Sequence, residues 1–185
     1  MSRIVPLDAP YDTDVQASFD LVMRGASPLI LFRTLATSDR AWRKFRGGSL
    51  LDKGPLSLRE RELVIDRTCA LAGCEYEWGV HASAFAAAAS LSDDELACTV
   101  HEGSRAKIWT AAEQVLLATV EALHANATLD LAEFEALAAH YRSDQILEIM
   151  MLCGFYRMVA YVSNGLDLPL EPGAARFPPA PVAAA

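Results

Sequence analysis

Residues 57–72 read SLRERELVIDRTCALA and, after a single glycine, residues 74–90 read CEYEWGVHASAFAAAAS. These two runs decide the fold. Ser57-Leu58-Arg59-Glu60 has the form of a capping box, in which a hydroxyl and a carboxylate satisfy the amides that the first helical turn leaves unpaired. Neither run shows the period-2 alternation of a strand. The connection Ala72-Gly73-Cys74 is short, and short connections make antiparallel neighbours, so the pair reads as a helical hairpin.

The same start signal recurs outward from the hairpin. Ser92-Asp93-Asp94-Glu95, Thr110-Ala111-Ala112-Glu113 and Asp130-Leu131-Ala132-Glu133 repeat it. Ser143-Asp144 opens a further helix with an acid against its positive end, and Asn164-Gly165 closes that helix, since both residues tolerate the left-handed C-cap conformation. The pattern predicts helices over 13–25, 28–37, 39–47, 57–72, 74–90, 92–103, 109–126, 130–141 and 143–164, with no strand. The fold class is therefore all-α, a compact multi-helix bundle whose central hairpin carries the site. Residues 1–165 form one domain, made of an N-terminal helical extension over 1–54 and a core over 55–165. Residues 166–185 hold five of the nine prolines; this tail is either an arm laid over a neighbour or disordered.

Composition agrees. Of 185 residues 52% are hydrophobic but only 8% aromatic, and 32 Ala and 24 Leu fill the gap, residues that lose little rotamer freedom in a helix. The net charge of −8 argues against a nucleic-acid partner, because phosphate binding needs clustered Lys and Arg. Met1 to Asp14 lacks the apolar core of a signal peptide. The apolar run Ile146 to Val162 contains Glu148 and Arg157 and is too short and too charged for a membrane span. A cytoplasmic protein with no membrane partner is the expectation. Cys69, Cys74, Cys98 and Cys153 form no C-x-x-C pair, so they read as free thiols rather than a zinc knuckle, and the plain reading of each is a small buried hydrophobe.

On a helix, positions 74, 77, 78 and 81 fall within an arc of roughly 100°. Cys74, Glu77, Trp78 and His81 thus share a face that Phe85 continues, while Tyr76 points to the other side. On the preceding helix Glu62, Asp66 and Cys69 stand at i, i+4 and i+7, so Glu62 can face His81 across the hairpin. A carboxylate beside an imidazole orients it and raises its pKa, which suits His81 to acid/base work. The plain alternative is an i, i+4 pair between Glu77 and His81 worth a few tenths of a kcal/mol, beside ordinary core aromatics.

Leu58-x-x-Arg61-Glu62-Leu63-Val64-Ile65, with Cys74-Glu75-Tyr76-Glu77-Trp78-x-x-His81, resembles the signature of the carboxymuconolactone decarboxylase family, whose superfamily includes the alkylhydroperoxidase D-like proteins. The strong similarity spans about 30 residues, near 57–89. The peroxidase branch has a Glu, eleven intervening residues, then Cys-x-x-Cys-x-x-x-His. Glu62, Cys74 and His81 match three of these positions, but Glu77 stands at the second Cys and cannot close a disulfide. The Glu77 form resembles the decarboxylase branch. That resemblance implies cofactor-free loss of CO₂ from a small carboxylated lactone in aromatic catabolism, with His81 as proton donor or shuttle and Glu62 and Glu77 as its partners. It also implies a homo-oligomer, often a trimer or hexamer.

The candidate catalytic set is Glu62, Cys74, Glu77 and His81; the candidate substrate contacts are Trp78, Tyr76 and Arg46. Stabilising a developing enolate needs a cation, for which Arg33, Arg43, Arg46 and Arg67 are open choices, while Arg59, Arg61 and Arg67 can equally be helix surface. Besides the lyase, the sequence leaves open a thiol-dependent antioxidant protein using Cys74 and a non-catalytic helical assembly protein. It also leaves open a metal site built on Glu77-x-x-x-His81 or Glu121-x-x-His124, although no cofactor or metal is expected.

Overall fold

A computed structural model describes residues 2–180; residues 181–185, the end of the expected tail, lie outside the described part. Among the described residues there are nine α-helices and no strand: α1 (Thr13–Met23), α2 (Ile30–Leu35), α3 (Asp39–Gly47), α4 (Leu58–Leu71), α5 (Glu75–Phe85), α6 (Asp93–Val100), α7 (Ala111–Asn126), α8 (Leu131–Ala138) and α9 (Ser143–Gly165), with a 3₁₀ turn at Gly103–Arg105. The four capping boxes read from sequence are all formed, at Ser57/Glu60, Ser92/Glu95, Thr110/Glu113 and Asp130/Glu133.

α4 is the axis of the molecule. It packs against α5, α6, α7 and α9, and its residues 62–69 are buried without a break. A helix surrounded in this way has no solvent stripe, so it shows no amphipathic face. Leu63, Val64 and Ile65 are fully buried, each contributing about 1.5–3 kcal/mol of transfer free energy. The same burial forces Glu62, Asp66 and Arg67 into the interior, where each charge needs a partner. α9 has the length and apolarity of a membrane-crossing helix, but Ile149, Leu152, Tyr156 and Val159 are buried in the core against α4, α5 and α7.

Most helices end within a few residues of the sequence reading, α1 at Met23, α2 at Ile30 and Leu35 and α8 at Ala138 being shorter than expected, and three ends have a visible cause. α5 stops at Phe85 rather than at 90: Ser90 turns left-handed at φ +55°, which buries Leu91 and turns the Ser90 carbonyl to Arg59 at 2.8 Å. Helix propensity of the alanine run yields here to tertiary packing. α6 stops at Val100 because Gly103, at φ +59°, lets Arg67 and Glu121 close over it; a Cβ there would sit 2.0 Å from Glu121 Oε1. At the end of α9 the left-handed residue is Asp167, beyond Asn164 and Gly165.

The described ends of the chain are tied to the bundle. Arg3 bonds the carbonyls of Leu166 and Gly165, and Arg33 on α2 holds Leu7 and Asp8. The described part of the tail lies along α5 and α2 of its own chain. Glu171 accepts from the Tyr76 hydroxyl and the Ile30 amide, Ala175 N–H donates to Ser83 Oγ at 2.8 Å, and Phe177 N–H donates to Glu75 at 3.0 Å. Phe177 also packs edge-on against Trp78. This strap needs Gly79: a Cβ there would lie 2.3 Å from the Ala175 carbonyl oxygen.

Gly79→Ala would gain up to about 1 kcal/mol of helix propensity, but it displaces the strap. The expected result is faster limited proteolysis between residues 166 and 180 with unchanged helical circular dichroism. An unchanged cleavage rate would show that the strap does not depend on this contact.

Candidate active site

α4 and α5 deliver the site as an antiparallel pair. His81 Nδ1 donates to Glu62 Oε2 at 2.7 Å, and both side chains are almost wholly buried. On the other ring edge, His81 Nε2 lies 3.5 Å from Glu77 Oε1, one turn back on α5. The second Glu77 oxygen, Oε2, is buried with no hydrogen-bond partner. The line Glu62–His81–Glu77 is thus tight at one end and slack at the other.

Arg61, which the sequence left as a possible surface residue, completes the tight end. Its guanidinium bonds Glu62 Oε1 through Nε at 3.0 Å and Nη2 at 2.9 Å, reaches the Leu51 carbonyl at 3.2 Å and lies 5.5 Å above the Phe85 ring. The only signal in the sequence was its position beside Glu62; a residue at i+1 ordinarily diverges on a helix.

These contacts set the protonation states. Burial, the largest influence on His81, disfavours its charge; the hydrogen bonds and charges of Glu62 and Glu77 together outweigh that and hold its pKa up at about 10. His81 is therefore an imidazolium at neutral pH. Its folded pKa lies above the unfolded value of about 6.5, so the stability it contributes is complete below about pH 6.5 and is lost as pH rises toward 10. Asp66, one turn along α4 from Glu62, is raised well above the carboxylate range, first by burial and then by Glu62, against the opposing pull of His81. Its Oδ1 is buried without a hydrogen-bond partner, in the wall behind the pair.

A cavity of about 420 Å³ opens onto His81 and Glu77. Its walls come from α1, α2, α3, α5 and α9, with Arg46 and Ser49 among its few polar lining residues. Of the four candidate cations only Arg46 lines it. Arg33 is held by Asp8 and the Leu7 carbonyl, Arg43 is exposed and paired with Asp39 at 3.0 Å, and Arg67 is pinned by Glu121 and the Thr99 carbonyl.

The structure brings Glu62, Glu77, His81 and Arg46 together and sets the other three candidates apart. Cys74 caps α5 at 0% exposure, does not line the cavity, and has its thiol pushed up to about 11, mainly by burial. Trp78 faces away from the cavity: its indole donates to Thr99 Oγ1 at 3.0 Å and its ring meets Phe177. Tyr76 accepts from Leu31 N–H at 2.9 Å and donates to Glu171; its hydroxyl ties α5 to α2 and the tail. An arc of 100° on a helical wheel grouped side chains that neighbouring helices then divided between core and cavity. Glu121 is spent on Arg67 and Ser104 and His124 on Arg157. Among the described residues no three His, Cys, Asp or Glu side chains are grouped to hold a metal ion.

Residues 36–121 match the model of the carboxymuconolactone decarboxylase family. No curated protein matches the chain significantly. Among solved structures, an uncharacterized peroxidase-related protein from Silicibacter sp. TM1040 superposes with a TM-score of 0.83 at 18% identity, covering 96% of each chain. The debrominase Bmp8 superposes with a TM-score of 0.73 at 20% identity, covering 91% of this chain and 92% of its own. An alkylhydroperoxidase AhpD core protein from Ralstonia eutropha JMP134, also described as an uncharacterized peroxidase-related protein, gives 0.70 at 17% identity over 92% and 93%. At these identities the likeness shows a shared fold, the alkylhydroperoxidase D-like one.

In ¹⁵N NMR the His81 ring is expected to stay doubly protonated from pH 5.5 to 8.5, and Glu62→Gln is expected to bring its titration down into that window. A wild-type His81 that titrates near 6.5 would contradict the geometry.

Proposed function

We propose, from the match of residues 36–121 to the model of the carboxymuconolactone decarboxylase family, that the chain is an acid/base enzyme acting on a small organic acid or carboxylated lactone, by decarboxylation or related proton transfer. The observation that carries this reading is the Glu62–His81–Glu77 line, anchored at 2.7 Å inside the protein and slack at 3.5 Å where it meets the cavity. Groups held rigidly at one end and under-bonded at the other suit transition-state contacts, which tighten only when charge develops.

In the decarboxylation the bond from carbon to carboxylate breaks, its electron pair moves onto the conjugated carbonyl oxygen, and CO₂ leaves. Arg46, the cation in the cavity lining, receives the substrate carboxylate or the enolate oxygen. His81, charged at neutral pH, gives its Nε2 proton to the carbanionic carbon. Glu62 holds Nδ1 throughout and fixes the tautomer that results. Water then returns a proton to Nε2, with Glu77 beside it to steer the transfer.

A thiol peroxidase built on Cys74 is the other reading of this family resemblance, and the local chemistry counts against it. With its pKa near 11, about one Cys74 in ten thousand is thiolate at pH 7, and Glu77 occupies the position of a resolving thiol. A debrominase and peroxidase-related proteins share the fold, so the fold alone does not choose the reaction.

The test is CO₂ release from a panel of lactone carboxylates and keto acids. Wild type is expected to turn over at least one of them, and His81→Gln to lower kcat at least 100-fold with helical content retained. Cys74→Ala is expected to stay within a few-fold of wild type. Failure of the wild type on the whole panel, or full activity in His81→Gln, would defeat the proposal; peroxide consumption that vanishes in Cys74→Ala would support the thiol reading in its place.

A further inference from the structure

The cavity above His81 has an unusual lining for a site that handles organic acids. Six aromatic side chains wall it: Phe32, Trp42, Phe45, Phe85, Phe155 and Tyr156. They come from four helices, and five of them meet one another in mostly tilted and edge-to-face contacts, while Phe85 lies against His81. Phe32 meets Trp42 at 5.2 Å, Phe45 meets Phe155 at 5.3 Å, and Phe155 meets Tyr156 at 5.4 Å between ring centroids. His81 itself lies against Tyr156 at 5.0 Å and Phe85 at 5.2 Å. Flat aromatic walls favour flat apolar occupants, through offset-stacked and edge-to-face contacts.

The polar groups in this lining are few, and two of them are incompletely bonded. His81 Nε2 has only the 3.5 Å contact to Glu77, and Glu77 Oε2 has no partner. His81 and Glu77 both line the cavity, so an N–H donor with only a long contact stands beside a carboxylate of which one oxygen, Oε2, is buried and unpartnered. A hydroxyl satisfies both at once: its O–H donates to Glu77 and its oxygen accepts from His81 Nε2–H. Arg46, 5.7 Å from the Trp42 ring centroid, has no ion pair among the described residues, so the cavity can neutralise one anionic group. A second carboxylate would face Glu77 or the aromatic wall and remain unpaired.

We infer that the cavity selects a planar, mostly apolar ring compound of the phenol or enol class, bearing one ring hydroxyl and no more than one anionic group. The inference rests on the acid/base reading only for the assignment of His81 and Glu77 as the groups that meet the hydroxyl. It excludes a small, highly charged dicarboxylated lactone as the preferred substrate of this chain, and it makes Arg46 the residue that limits the ligand to a single negative charge.

Calorimetric titration of the full-length protein tests it without turnover. The probes are 2-naphthol, 2-methoxynaphthalene, 2-naphthoate and naphthalene-2,6-dicarboxylate. 2-Naphthol is expected to bind at least fivefold more tightly than its methyl ether, which lacks the donor, and 2-naphthoate at least tenfold more tightly than the dicarboxylate. Arg46→Leu is expected to weaken 2-naphthoate at least tenfold while leaving 2-naphthol within twofold. Ala84→Trp, which puts bulk into the cavity from an exposed position of its lining, is expected to abolish binding of all four. Equal affinity for 2-naphthol and its ether, a dicarboxylate that binds as well as 2-naphthoate, indifference to Arg46→Leu or Ala84→Trp, or no binding by any probe would each overturn the inference. Probes that bind in the expected order to a protein that decarboxylates nothing would leave this ligand class standing and sink the reaction instead. Turnover of a dicarboxylated lactone without binding of the ring probes would do the reverse.

Discussion

A carboxylate and an imidazole sealed together between two helices govern this molecule. Glu62 and His81 are 2.7 Å apart and almost inaccessible to water. Each is costly to bury alone, because removing an ion from water is repaid only by a well-placed partner. α4 and α5 must therefore dock in one register, the one that joins these two side chains. Arg61 secures the outer oxygen of Glu62, and burial shifts Asp66 toward its uncharged form. The pair also holds the imidazole charged, which is the state in which it can donate a proton at neutral pH.

The rest of the fold is arranged around that pair by apolar means. The scarce aromatic residues are concentrated in one chain of contacts. It runs from Tyr11 and Phe19 through Trp42, Phe45 and Phe155 to Tyr156 and His81. α1 to α3 are thus wall and roof of the site as well as an extension before the central hairpin. Across α5 the tail performs the matching task. Glu171 and Phe177 hold the face that carries Tyr76 and Trp78, so α5 is gripped on one side and offers Glu77 and His81 on the other.

Much of this was legible in the sequence because local chemistry wrote it there. Four capping boxes fixed the starts of α4, α6, α7 and α8, and the short Ala72-Gly73-Cys74 turn made the hairpin antiparallel, which placed Glu62 opposite His81. What stayed hidden depended on neighbours that periodicity does not name. A helical wheel put Cys74 and Trp78 on the same face as His81, yet α9, α6 and the tail bury them. Arg61 looked like surface until α4 proved to be buried all round. Helix propensity extended α5 through its alanines, where packing of Leu91 ends it. Arg46, already a candidate substrate contact in the sequence, stood out from the other candidate cations once those three were seen to have partners.

The central claim is that the Glu62–His81 pair is kept for its chemistry at some cost in stability. A double-mutant cycle in urea measures this directly. Glu62→Met and His81→Leu are each expected to destabilise by about 3–5 kcal/mol, since each strands a buried group, while the double variant is expected within about 1 kcal/mol of wild type or above it. Losses that simply add, leaving the double variant the least stable of the four proteins, would show that the two side chains do not depend on each other and would contradict the account.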